Sequence, residues 1–442
     1  MNLQQFFEHW QITENPFRGE EARHDDVFAR MGGETTHSDF EKIVGQLARP
    51  STSIVFGEKG SGKTAIRLQL ERALERHNQT TTDQRVLLVA YDDLNGALDR
   101  LHDRVGGETP LDSFREMTLV DHMDAILAAA SSRFTTAILD GSVRDVRARL
   151  DRTDRLGLLL VQAVYDGADD AHDRTRRLRR LLRLGKGRAR AAWLAGSLLG
   201  WIVPAGIAFG AFRASADFPG QAWQIAFVAA LVLWLLVLLR TFWVDQLLVA
   251  RRARRVSKHL RMLGRPVASL QASLGQLQPQ YANPLLPVND NEEVRYAMLD
   301  RLRRVMGRLG YTGMLVVIDR VDEPTLVSGD AERMRAIIWP LLNNKFLQQT
   351  EFGVKMLLPI ELRHALFKES SSFFQEARLD KQNLIERLTW TGAMLYDLCD
   401  ARLRACRPEE APVVALLDLF AEDVTRRDVV DALDQMHQPR DA

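Results

Sequence analysis

The chain has 442 residues, 59 Lys and Arg against 58 Asp and Glu, and two cysteines. That length holds two or three ordinary domains with sizeable cores. Cys399 and Cys406, seven apart in a helical pattern, suit buried thiols in a reduced, cytosolic setting rather than a disulfide or metal site. The ten histidines show no ligand spacing, which excludes a structural zinc as an expectation, and the net charge of +1 averages over segments too uneven to name a partner.

Residues 1–50 read as an arm leading into a helix. The first ten, MNLQQFFEHW, lack the basic-then-apolar layout of a cleavable signal peptide. Asn15-Pro16-Phe17 signals a turn with an exposed aromatic, and HSDFEKIVGQL has amphipathic helical spacing from about His37 to Leu47.

Residues 51–95 open a core whose centre is the octet Gly57-Glu58-Lys59-Gly60-Ser61-Gly62-Lys63-Thr64. It fits G-x-x-x-x-G-K-[ST] and lies between the apolar run Ile54-Val55-Phe56 and a helical pattern with Ile66, Leu68 and Leu70, the context this phosphate-binding motif requires. Gly57, Gly60 and Gly62 permit tight turns and let backbone N–H groups approach a polyphosphate. The helix that follows brings its positive end, with Thr64 and Ala65, to the same place. Lys63 supplies a mobile charge for the β- and γ-phosphates, and Thr64 a hydroxyl for Mg²⁺. Val86–Asn95 is a second buried strand ending in Asp92 and Asp93, so strand, loop, helix, strand begins a parallel α/β sheet.

Residues 96–173 turn helical and show no catalytic signature. Residues 174–265 differ sharply. Nine of the seventeen residues from Arg174 to Arg190 are Lys or Arg, and 22 uncharged residues, Ala191–Phe212, follow. A short stretch containing Asp217 and Pro219-Gly220 leads to a second uncharged run, 221–239, and then to a second basic cluster, Arg251–Arg261. Each run is about 30 Å long as a helix, the thickness of a bilayer's hydrocarbon core. The pattern predicts a transmembrane hairpin with spans at about 191–212 and 221–239. Basic residues crowd both outer ends, so both soluble parts face the cytoplasm, as at a bacterial inner membrane. Trp193, Trp223 and Trp243 lie near the span ends, and Gly196-x-x-x-Gly200 and Gly206-x-x-x-Gly210 allow close helix approach. The basic clusters beside the spans suit anionic lipid headgroups better than nucleic acid.

Residues 266–310 are a Pro/Asn-rich connector and an amphipathic helix, and residues 311–390 return to a sheet pattern. The run Met314–Ile318 ends in Asp319 and continues Arg320-Val321-Asp322-Glu323. A buried strand that delivers one carboxylate is suited to Mg²⁺, the role expected of Asp319. Val354–Ile360 is another strand, with Glu361 at its end as a polar contact, and the segment NLIERLTW contains a short one. Residues 391–442 are acidic and helical and close with Gln438-Pro439-Arg440.

The octet, the acid-ended strand and the two spans between them resemble the KAP group of P-loop NTPases, membrane-associated relatives of the STAND and AAA+ ATPases. The resemblance implies an α/β parallel-sheet P-loop NTPase core, with an inserted helical region carrying the hairpin and a small C-terminal helical lid. It implies ATP and Mg²⁺ as ligands. Asp319 is followed by Arg320 rather than by the Glu of the usual AAA+ pair, and the stretch is similar to the D-x-h-D-E form of STAND ATPases. On that similarity Asp322 or Glu323 polarises the attacking water, with Glu323 preferred. Ile12, Pro16 and Phe17 stand where related arms wrap the adenine, Arg378 and Arg387 where an arginine finger can lie, and Arg440 where a lid places a guanidinium on the γ-phosphate.

The expectation is a membrane-tethered ATPase that couples nucleotide state to self-assembly or to a protein partner. A nucleotide-gated signalling or defence scaffold with little hydrolysis, and a nucleic-acid loader at the membrane, are the alternatives.

Overall fold

The computed structural model describes residues 2–19, 21–31, 36–185, 188–214, 221–342, 346–367 and 383–440. The chain divides into two compact units, one made of residues 1–119 with 310–442 and the other of residues 120–309.

The first unit is built on five parallel strands: β1 Ser53–Gly57, β2 Arg85–Tyr91, β3 Tyr311–Ile318, β4 Phe352–Pro359 and β5 Asn383–Ile385. Their order is β2-β3-β4-β1-β5. β1 and β4 are buried along their whole length, as expected of strands covered on both faces by helices. The register sets Ile318 of β3 opposite Met356, Met356 opposite Ile54, and Gly57 opposite Pro359, so the C-terminal ends of β3, β4 and β1 lie along one edge.

The helix Lys63–Thr80 follows β1 and buries Ile66, Leu70 and Leu74, one stripe at four-residue spacing, against Val55, Val86, Leu88, Leu315 and Leu357. Each such side chain contributes about 1.5–3 kcal/mol. Helices Asn95–Val105 and Pro110–Arg115 belong to this unit. The helix expected from about His37 to Leu47 forms only over Phe40–Val44, and a further helix of this unit runs Ala331–Leu342. Helices Gly392–Ala405 and Arg426–Asp434 pack through Leu395, Tyr396, Cys399, Val429 and Leu433. Cys406 lies in a separate cluster with Ile12, Val27, Leu403 and Val414, which docks the N-terminal arm. Both thiols are free and buried.

Lys355 is the anomaly in β4. It is 1% exposed, and its Nζ reaches only Ser51 Oγ, at 3.4 Å. Burial pulls its ammonium from the ordinary 10.5 down to about 7. The folded protein therefore carries the whole penalty of a buried charge below pH 7, and loses it as pH rises toward 10.5, where the unfolded chain also deprotonates. Lys355→Met is expected to stabilise the full-length protein by about 2–4 kcal/mol at pH 6 and by almost nothing at pH 10, read by urea denaturation in detergent. A gain independent of pH would sink this account.

The second unit is helical. Helices Leu119–Leu139, Arg152–Tyr165, Ala171–Leu181, Val267–Leu274 and Glu292–Arg308 surround a core that includes a buried ion pair. Arg295, 0% exposed, donates from Nε and Nη2 to the two Asp124 oxygens at 3.1 Å each, and Tyr165 Oη donates to Asp124 Oδ1 at 2.9 Å.

Two apolar helical stretches in this unit, Ala192–Arg213 and Gln221–His259, are 22 and 39 residues long. The first is interrupted between Leu199 and Ile202, where Pro204 lacks the N–H that would bond Gly200. The second continues through a π-turn at Arg240–Val244 and stops before Gly264 and Pro266. The stretches run antiparallel. Gly196 faces Val237, Gly200 faces Trp234 and Gly210 faces Trp223, and Trp234 Nε1 donates to Ser197 O at 3.0 Å. The Arg240 guanidinium lies 4.4 Å from the Trp193 ring centre. The connecting residues 215–220, Asp217 and Pro219 among them, lie outside the described residues.

Candidate functional site

Glu58–Gly62 turn sharply between β1 and the helix beginning at Lys63. Gly60 and Gly62 have φ of +94° and +91°, values that any Cβ would strain. Space is short as well. A Cβ on Gly60 would lie 2.9 Å from Gln438 Oε1 and 3.0 Å from Arg440 Cβ, and one on Gly62 would lie 3.4 Å from the Trp390 ring.

The loop is clamped from outside by groups that carry no recognisable sequence signal. Trp390 Nε1 donates to Ser61 O at 2.9 Å. The His37 ring meets Trp390 edge-on with centroids 5.0 Å apart. His37 Nδ1 accepts from Asp39 N at 3.0 Å, which leaves Nε2 to donate to Thr389 O at 2.8 Å. Burial holds this imidazole below its ordinary pKa and so neutral. Glu58 accepts from Arg387 Nη2 at 2.5 Å and from Gln438 Nε2. Arg387 and Arg440 thus both lie against the Glu58–Gly62 turn of their own chain. Arg378 lies outside the described residues. Lys59 is exposed, while Thr64 and Ala65 are half-buried in the first turn of the helix.

Lys63 Nζ folds back to donate to Gly57 O at 2.7 Å and to Glu58 O at 2.8 Å. Burial lowers its pKa, and the carboxylates of Asp322, Asp319, Glu361 and Glu58, in that order, pull it back up.

Asp319 ends β3 two strand spacings from β1, roughly 9–10 Å. It is 2% exposed. Its Oδ1 accepts from Arg320 N at 3.0 Å, and its Oδ2 is buried without a hydrogen bond. Burial raises its pKa, against the pull of Arg67. Arg320 has a left-handed φ of +61°, backbone strain of the kind that collects at functional sites. Its Nε pairs with Glu323 at 3.1 Å, and Glu323 is half exposed. Arg320 and Glu323 line a polar cavity of about 270 Å³ with Arg23, Asp92, Asp93 and Asn95.

Sequence reasoning missed Arg67, which is 7% exposed in the phosphate-loop helix. It donates to Glu71 at 2.9 Å and Asp92 at 2.5 Å, and its Nη1 lies 3.6 Å from Asp319 Oδ2. Its three-residue offset from Thr64 was legible, but nothing in the sequence says that β2 and β3 bring their acids to it.

The arm residues separate. Ile12 is buried against the C-terminal helices, as an anchor would be. Pro16 is buried, and its carbonyl accepts from Arg402 Nε at 2.7 Å. Phe17 is 49% exposed, with the Arg402 guanidinium 5.8 Å from its ring centre.

No family profile, curated protein or solved structure matches this chain. The reading of the site rests on its own chemistry. The glycine cradle, the helix N-terminus and Lys63 fit a polyphosphate. The orphaned Asp319 Oδ2 and the Thr64 hydroxyl fit a hard divalent cation. Among the described residues no three His, Cys, Asp or Glu side chains gather to hold a metal by themselves. Phosphate oxygens and water would complete the shell, as Mg²⁺ prefers.

Proposed function

We propose that the chain is a membrane-tethered P-loop ATPase, resembling the KAP group, whose nucleotide state governs assembly or contact with a protein partner. One observation carries the reading. The phosphate loop Gly57–Thr64 and the buried acid Asp319, about 250 residues apart in sequence, stand at the same edge of one parallel sheet with a single strand between their own strands. Open parallel sheets bind ligands outside the carboxyl ends of their strands.

In this reading the backbone of Glu58–Thr64 cradles the β- and γ-phosphates, and Lys63 leaves the Gly57 and Glu58 carbonyls to reach them. Thr64 and Asp319 would hold Mg²⁺, which would supply positive charge to the phosphate oxygens. Asp322 or Glu323 orients the attacking water, and the pairing of Glu323 with Arg320 favours Asp322. Arg440 and Arg387 stand beside the loop as candidates to stabilise charge on the γ-phosphate. Phe17 is a candidate for the adenine.

The membrane part of the reading rests on exposure. In the most apolar window of each long helix, 17% of the first and none of the second is buried, whereas core helices of a soluble protein are mostly covered. The spans would cross a bacterial inner membrane with both soluble parts in the cytoplasm and the basic flanks on anionic headgroups. The chain passes between the two units twice, at 119–120 and 309–310, so two covalent links join the nucleotide site to the spans.

A nucleotide-gated scaffold with little turnover is the second reading, favoured by the pairing of Glu323 with Arg320. Full-length protein in detergent is expected to release phosphate from ATP only with Mg²⁺ present, and Asp319→Asn to lose that release. Tight ATP binding with no release would favour the scaffold. Failure to bind ATP would refute both readings.

A further inference from the structure

Arg67 stands where the acids of two strands meet. It follows Thr64 by three residues, on the same face of the helix. Asp92 lies just beyond β2 and Asp319 just beyond β3, and these strands are paired neighbours. Both carboxylates approach Arg67 Nη1, Asp92 within a hydrogen bond at 2.5 Å and Asp319 only within an ion pair at 3.6 Å. Nε is committed to Glu71 at 2.9 Å, and Arg23 holds Asp92 from elsewhere at 3.3 Å. Asp319 thus has its charge offset while its Oδ2 has no hydrogen bond and, at 2% exposure, little water.

We propose that Arg67 is a positioning residue that occupies, in the nucleotide-free protein, the electrostatic place of the divalent cation, so that Mg²⁺ and the Arg67 guanidinium compete for Asp319. The proposal rests on the reading of Asp319 as the metal-holding acid. Two cations cannot share one buried carboxylate without strong repulsion. With nucleotide and Mg²⁺ bound, the Arg67 guanidinium would rest on Asp92 and Glu71, which already hold it. Asp92 therefore favours the metal by drawing Arg67 away from Asp319. Removing the charge of Arg67 and removing that of Asp92 have opposite effects.

The test is fluorescence titration of full-length protein in detergent with methylanthraniloyl-ATP, with and without Mg²⁺, reading the ratio of the two dissociation constants. Arg67→Gln is expected to enlarge the advantage conferred by Mg²⁺ by about tenfold. Arg67→Lys keeps the charge and is expected to stay near the wild-type ratio, while Asp92→Asn is expected to shrink it. Arg67→Gln is also expected to melt earlier without ligand and to recover more than wild type when Mg²⁺ and nucleotide are added. A purely structural role predicts an unchanged ratio in Arg67→Gln, or shifts of the same sign in Arg67→Gln and Asp92→Asn; either overturns the proposal. Should Arg67→Gln fail to fold, a wild-type ratio in Arg67→Lys together with a reduced one in Asp92→Asn supports the proposal, and an unreduced ratio in Asp92→Asn overturns it. Wild-type protein that binds no nucleotide overturns the ATPase reading itself, whereas normal binding with unmoved ratios overturns only the role of Arg67.

Discussion

Lys63→Ala is expected to reduce ATP turnover by the full-length protein by about 10²–10³-fold, the loss typical when one preorganised charge is taken from developing phosphate charge. Asp322, Asp319, Glu361 and Glu58 all raise the pKa of this lysine, so its removal also takes a cation away from these acids. Nucleotide affinity should fall with turnover, because the same ammonium contacts the bound ground state. The two acids after Asp319 should differ. Asp322→Asn is expected to lose most of the turnover and Glu323→Gln less, since Glu323 is paired with Arg320. Phosphate release measured side by side for the three variants decides the matter. Undiminished release by Lys63→Ala would remove the basis of the ATPase reading, and a larger loss in Glu323→Gln would reverse the roles of the two acids.

The largest expected effect on stability lies in the helical unit. Arg295→Ala leaves Asp124, 1% exposed, without its bidentate partner, and is expected to destabilise the protein by about 3–5 kcal/mol. Replacing both ends by apolar residues should be far milder. Arg295→Met with Asp124→Leu still strands the Tyr165 hydroxyl, which donates to Asp124, at a cost of about 1–3 kcal/mol. Adding Tyr165→Phe removes that orphan, and the triple variant is expected near wild-type stability. Denaturant midpoints in detergent give the three values. A single variant no less stable than the triple would show that this buried pair contributes nothing.

Much of the core was legible because its signals are local. A strand buried on both faces needs a continuous apolar run, which Ile54–Phe56, Val86–Val89 and Met314–Ile318 supply. A phosphate turn needs glycine where φ is positive, and Gly60 and Gly62 take those values. The two long apolar helices were legible for the same reason. The clamp on the loop was not, because His37, Trp390 and Gln438 come from three distant segments and show no spacing among themselves. The burial of Lys355 was not legible either, as a charge inside an apolar run ordinarily marks an exposed position rather than one 1% exposed.

The amino-acid sequence by itself determined the local conformations: the glycine turn followed by a helix, the buried strands ending in acids, and two apolar helices between basic clusters. These depend on side-chain period and on backbone freedom, which are properties of neighbouring residues. Only the tertiary structure decided which acids meet which cations. Strand order put β4 between β1 and β3, register set Ile318, next to Asp319, level with Ile54 of β1 through Met356, and the pairing of β2 with β3 delivered Asp92 and Asp319 to Arg67. Electrostatic partners are chosen by distance in space, and for residues some 250 positions apart that distance is set by packing of the whole sheet rather than by any stretch of chain.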